Sequence, residues 1–158
     1  MFRKMRRFKQ QISEAECIEV LKKQPRGVLS VIGDDGYPYG MPLTHWYNEE
    51  DGHIYFHGAK EGHKIDAIKK CDKISFCVYD EGYRREGEWS LNIKSVIVFG
   101  RIKPVDDMAK AEKIAKSLCA KFTSDKEYAE KEYAADGNRM LCLEIIPEHI
   151  TGKLVNES

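Results

Sequence analysis

The residues best suited to chemistry stand in one short stretch, His57-Gly58-Ala59-Lys60-Glu61-Gly62-His63-Lys64. Glycines let a backbone close on a ligand, and a helix opening here would offer free N–H groups at its start. Lys64 adds a point charge in the first turn and His63 a further donor, so the stretch has the parts of a phosphate site without any named phosphate motif. An ordinary strand-to-helix turn with two solvated cations fits the same spacing, and the residues leave both readings open. His57, at a strand end, is the best acid/base candidate near neutral pH; a histidine bonded to local backbone is the competing reading. Trp46, Tyr47, Tyr83 and Trp89, in or near turns, either cover a flat ring or finish a core.

Other chemistries find little support. No GxGxxG or GxxxxGK[ST] pattern is present, which leaves the dinucleotide and triphosphate folds without support. The five cysteines (Cys17, Cys71, Cys77, Cys119, Cys142) include no CxxC pair and read as reduced packing residues. His53, His57, His63, Cys71 and Cys77 match no zinc-ligand spacing, so no metal is expected. Linear spacing shows no Ser/His/Asp or Cys/His arrangement.

Length and charge set the frame. A chain of 158 residues suits one domain over 1–158 with a single core. Its 26 basic and 26 acidic side chains cancel, which argues against a nucleic-acid surface and for a small-molecule or protein partner. No apolar run approaches the roughly 20 residues that span a bilayer, and the start lacks a signal-peptide core, so a cytoplasmic protein with no membrane partner is expected. The one charge asymmetry is a basic arm over 1–12, with Arg3, Lys4, Arg6, Arg7 and Lys9, read as solvated.

The elements that must position these groups follow from pattern. Ser13-Glu14-Ala15-Glu16 is a capping box for a helix ending near Gln24, before Pro25. Strands are expected from Gly27 to Ile32 and from Tyr37 to Tyr47, joined by Asp34-Asp35-Gly36, and another at His53 to His57, giving a three-stranded meander. A short helix opens at Glu61 to Lys64 with Ile65, Ala67 and Ile68 inward, and a strand follows at Ile74 to Tyr79. Residues 81–88 form a loop, and Ser95 to Ile102 is a central strand. A helix over Val105 to Phe122, a second one capped by Ser124 to Glu127, and strands at Met140 to Ile146 and Ile150 to Leu154 complete a mainly β, α+β fold, a small antiparallel barrel decorated by helices.

Several segments, in this order, resemble one family: Gly33-Asp34-Asp35-Gly36-Tyr37-Pro38-Tyr39 with Pro42-Leu43; Ile54-Tyr55-Phe56-His57-Gly58-Ala59; Gly62-His63-Lys64-Ile65-Asp66; Ser95 to Arg101; and Thr151-Gly152-Lys153. They look like the nitroimidazole-resistance branch of the pyridoxamine 5'-phosphate oxidase-like, FMN-binding split-barrel proteins. The resemblance implies an antiparallel split β-barrel homodimer with flavin at the subunit interface, FMN being expected and FAD the alternative. It implies that Pro42, Leu43 and Thr44 line the ring and ribityl chain, that His57, Gly58, Ala59, His63 and Lys64 surround the phosphate, and that Ser95 and Val96 approach from the long strand. It further implies a flavin-dependent oxidoreductase acting on a small acceptor such as a nitroaromatic, with His57 as the proton-transfer residue. A flavin-binding or storage protein without turnover, and a pyridoxamine 5'-phosphate oxidase-like enzyme, are the alternatives. The C-terminal substrate-binding segment of that oxidase is not matched by Ile146 to Ser158.

Overall fold

The computed structural model describes residues 1–136 and 140–157. Its elements are α1 (Glu14–Lys23), β1 (Arg26–Ile32), β2 (Pro38–Thr44), β3 (Trp46–Asn48), β4 (His53–Ala59), α2 (His63–Lys70), β5 (Lys73–Tyr79), β6 (Leu91–Pro104), α3 (Met108–Ala120), α4 (Lys126–Asp136) and β7 (Met140–Glu157). The strands form a single antiparallel sheet in the order β2-β1-β5-β6-β7-β4-β3.

This order forces the sheet to curl. β2 and β3 lie at opposite edges, yet only His45 separates them in the chain. Seven flat strands at about 4.8 Å spacing would hold their edges roughly 29 Å apart, whereas one intervening residue spans about 7 Å between flanking Cα atoms. The sheet therefore rolls until its edges nearly meet, a curled half-barrel. The expected strand from Tyr37 to Tyr47 is thus two strands, and the expected meander is two hairpins on opposite edges. Propensity shows no break at His45; tertiary closure makes it.

Local chemistry sets the rest. The Ser13/Glu16 capping box forms as expected, and Cys17, Val20 and Leu21 bury one face of α1 within the main core. Asp35 (φ 55°) and Gly36 (φ 77°) both adopt left-handed backbone, and the Tyr37 N–H donates to the Asp34 carbonyl, closing the β1–β2 turn with the twist that a tight hairpin prefers. In β1, β5 and the middle of β6, alternate residues (Leu29, Val31; Ile74, Phe76, Val78; Val96, Val98) are buried, the period of two of a strand with one covered face.

Two strands are longer than their sequence suggests. β7 runs unbroken through Pro147, where two strands were expected. The register slips between Phe99 and Gly100, so that Phe99 faces His149 while Gly100 faces Pro147 and Glu148 bulges out. A bulge accommodates a proline that has no N–H for the ladder. Gly100 is needed there, since a Cβ would collide with the Ile146 carbonyl.

The helices start later than expected. α3 begins at Met108, because the Asp107 carboxylate accepts from the Ala109 and Lys110 N–H groups while Val105 still bonds β7 through Cys142. α4 is capped by Asp125, whose side chain accepts from Tyr128 N–H, and not by Ser124. α3 covers the outer side of β3, β4 and β7 over a second, smaller apolar cluster of Tyr55, Ile114, Leu118 and Cys142. No helix among the described residues is long and apolar enough to cross a membrane.

Candidate anion pocket at the end of β4

The end of β4 and the start of α2 meet the β1–β2 turn. Gly62 joins the two elements at φ 119°, ψ 172°, a conformation open essentially to glycine alone, and it makes no side-chain cap. The N–H groups of Ile65 and Asp66 return to the Gly62 carbonyl. The first turn at His63 and Lys64 is left without a side-chain acceptor, as an anion would require.

Lys64 folds back over β4. Its Nζ would lie 2.7 Å from a Cβ placed on Gly58 and stands 5.8 Å from the Phe56 ring centroid. Gly58 is thus the residue whose missing side chain seats the ammonium. Burial holds the Lys64 pKa below the usual lysine value, and among the described residues no carboxylate pairs with it. A half-buried cation without a counter-charge has the chemistry to receive an anion.

The two histidines take different positions. The His63 ring stacks on Tyr39 with centroids 4.2 Å apart, and its Nε2 lies 3.4 Å from the Asp34 N–H and 3.6 Å from the Asp34 carboxylate. It is therefore shared with the β1–β2 turn. His57 stands opposite Cys142 of β7, its ring partly covered and partly open to solvent and without a side-chain hydrogen bond among the described residues. Packing around its ring removes water, and the Lys64 charge adds to this, so its pKa lies below the ordinary histidine value and the ring is neutral at pH 7. Ala59, at the end of β4, is exposed beside them.

β2 carries Pro42, Leu43 and Thr44 along a sheet edge that pairs only with β1, leaving alternate backbone groups free. Leu43 packs on the main core, whereas Pro42 is exposed. Ser95 and Val96 are not brought to this group. His57 faces Cys142, but Ser95 faces Lys153, eleven residues further along β7, roughly 36 Å of strand at its rise per residue. Val96 is fully buried and turns its side chain into the core.

A family model described as pyridoxamine 5'-phosphate oxidase matches residues 13–154. The chain belongs to that family. No curated protein matches it in sequence. Among solved structures, this pyridoxamine 5'-phosphate oxidase-family chain is similar to a candidate 5-nitroimidazole antibiotic resistance protein from Bacteroides thetaiotaomicron: 16% identity, TM-score 0.76, 93% of this chain and 87% of that one. It also resembles an FAD-binding protein from Mesorhizobium loti: 23% identity, TM-score 0.70, 92% and 97%. A third likeness is the FAD-binding protein of Mycobacterium smegmatis: 17% identity, TM-score 0.67, 94% and 99%. At these identities the likeness establishes the split-barrel fold.

Sequence reasoning missed one constellation in this family member. Glu144, buried on β7, accepts from His53 Nδ1 (2.7 Å), Tyr55 OH (2.8 Å) and Lys110 Nζ (2.9 Å), with Lys103 Nζ at 3.5 Å. The Tyr55 hydroxyl also stands 2.6 Å from Asp51. Burial alone would raise the Glu144 pKa, but Lys110, His53 and Tyr55 outweigh it and bring it down to about 2. Asp51, His53 and Glu144 have ligand-type spacing. Two ammonium groups already supply the positive charge, so the cluster is an ionic clasp holding α3 to the sheet. The signal was a lone glutamate within Leu141-Cys142-Leu143-Glu144-Ile145-Ile146, opposite a His-x-Tyr alternation.

Proposed function

We propose that the chain binds FMN, with the phosphate at Lys64 and the start of α2 and the ring along the free edge of β2, and that it serves as a flavin-dependent oxidoreductase for a small acceptor of the nitroaromatic class. The observation that carries this reading is the half-buried Lys64 ammonium with no carboxylate partner, seated over Gly58 beside the uncapped first turn of α2. The names of the FAD-binding neighbours support a flavin, and the nitroimidazole-resistance neighbour supports the acceptor class.

A second copy of the chain completes the site. Ser95 stands far along β7 from the rung of His57, so it would reach a flavin across an interface, whereas Val96, buried in the core, would not. The outer sheet face suits one: Val28, Cys77, Ile97 and Thr151 form one rung and Ser30, Ser75, Phe99 and His149 the next, with Ile97 37% and Phe99 40% exposed. Phe2 of the N-terminal arm stacks on Phe99 (5.9 Å) and His149 (4.6 Å), and partly exposed apolar side chains in adjacent rows beside it suit a docking face.

Flavin supplies electron transfer when bound; the chain's residues bind, orient and move protons. Lys64 and the α2 N–H groups hold the phosphate, and Gly58 leaves room for the ammonium. His57, neutral at pH 7, takes up a proton and passes it to the acceptor as electrons arrive from a reduced nicotinamide. Three reduced nicotinamides would supply the six electrons that, with six protons, convert the nitro group to an amine and release its two oxygens as water.

Purified protein is expected to carry FMN near one per chain and to oxidise a reduced nicotinamide when a nitroaromatic is added. His57→Ala is expected to retain flavin and lose turnover by about a hundredfold, the low end of general acid–base contributions. Visible absorption with chromatography of the released cofactor, then steady-state rates, check both points. A chain that takes up neither FMN nor FAD overturns the proposal, and bound flavin that no donor reduces confines it to flavin binding.

A further inference from the structure

One ammonium serves both places where regular backbone bonding stops near β2. Lys121, the C-cap of α3, places its Nζ 2.6 Å from the Gln24 carbonyl and 2.8 Å from the His45 carbonyl. Gln24 caps α1 and precedes Pro25, and the last carbonyls of a helix lack intrahelical partners. His45 lies between strands that pair at opposite edges, so no ladder receives its carbonyl. The Lys121 ammonium therefore ties α1, the β2–β3 crossover and α3 together at one point.

The His45 side chain is held as firmly. It is fully buried, its Nε2 lies 2.7 Å from the Leu21 carbonyl, and its ring meets the Phe76 ring edge-on at 5.1 Å. Burial first, then the Lys121 charge, hold its pKa down at about 4, so the ring is neutral and Nε2–H donates to Leu21. Burial likewise holds Lys121 at about 8. A lysine kept here despite that cost has two carbonyl acceptors and no ion-pair partner among the described residues.

Thr44, next to His45, ends the strand that the proposed function lays along the flavin ring. We infer that Lys121 is a positioning residue for the flavin: by fixing the His45 carbonyl, it sets where the free edge of β2 stands against the ring. The inference rests on the flavin reading above. Lys121 acts through His45 and has no part in holding the phosphate.

Riboflavin lacks the phosphate and so isolates the ring side. Kd values for FMN and riboflavin are measured on the full chain, wild type and Lys121→Met, well below the melting temperature, with visible-region circular dichroism of the bound flavin. Lys121→Met is expected to weaken both ligands by the same factor, about tenfold, or about 1.4 kcal/mol, and to alter the flavin dichroism; Lys121→Arg, which keeps the charge and donors, is expected to recover most of the affinity. A Lys121→Met chain that melts earlier but binds riboflavin like the wild type overturns the inference and leaves Lys121 a structural clasp. If Lys121→Met does not fold, Lys121→Gln and Lys121→Arg decide: weaker riboflavin binding in Gln than in Arg supports the inference, and wild-type affinity in both overturns it. A wild type that binds neither ligand is a different failure, since it removes the flavin reading itself.

Discussion

Lys64→Ala is expected to weaken FMN binding by about 2 kcal/mol, roughly thirtyfold in Kd, the range for hydrogen bonds to a charged group. Riboflavin binding is expected to stay within about twofold, since it has no phosphate for the ammonium to meet. Gly58→Ala should act in the same direction, because its Cβ would stand 2.7 Å from Lys64 Nζ and push it aside. Titration of flavin-free protein, followed by quenching of flavin fluorescence, reads both variants. Equal FMN affinity in wild type and Lys64→Ala would place the phosphate elsewhere, and with it the rest of the pocket.

Glu144→Gln is expected to destabilise the fold by about 3 kcal/mol, since removing one side of a buried charge cluster leaves the others without compensation. In a chain of this length that corresponds to a fall in Tm of roughly 6–12 °C. The effect has a direction in pH. The Glu144 carboxyl is brought from 4.5 down to about 2 in the folded chain. A depressed carboxylate contributes stability that is complete above its unfolded pKa and is lost as pH falls through the folded one. The gap in stability between wild type and Glu144→Gln should therefore be full at pH 5 and above and shrink from pH 4.5 toward 2. Urea unfolding at several pH values measures it; a gap that does not change with pH would mean that the carboxylate charge is not what holds α3.

Local signals read well in this chain. The Ser13 capping box, the Asp34-Asp35-Gly36 turn and the inward Ile65, Ala67 and Ile68 are each set by neighbours within four residues, and each stands where the sequence put it. The convergence of His57, Gly58 and Lys64 was legible for the same reason, being one strand end and the helix that follows. What could not be read is what depends on closure. No residue type at His45 announces that the chain changes sheet edges, and nothing in Pro147-Glu148-His149 distinguishes a bulge inside one strand from a turn between two. Glu144 joins donors from β4, β6 and α3, so its role appears only once those elements are packed. The stacking of the His63 ring on Tyr39 and its place beside Asp34 are equally hidden in the sequence, because they come from a hairpin 24 to 29 residues earlier.

The crossover at His45 also bears on how the chain reaches its fold. Among the described residues β7 alone links β6 to β4, and it is synthesised after both. Until it emerges from the ribosome, β1, β2, β5 and β6 can assemble while the β3–β4 hairpin is held to them only by His45 at one end and the α2 segment at the other. β4, with its apolar Ile54, Tyr55 and Phe56, waits for a partner roughly ninety residues downstream. Such distant pairing is slow and leaves an open strand edge during synthesis. The nascent chain is therefore most vulnerable to misassociation in that interval, with the β4 edge as the surface a chaperone would need to shield.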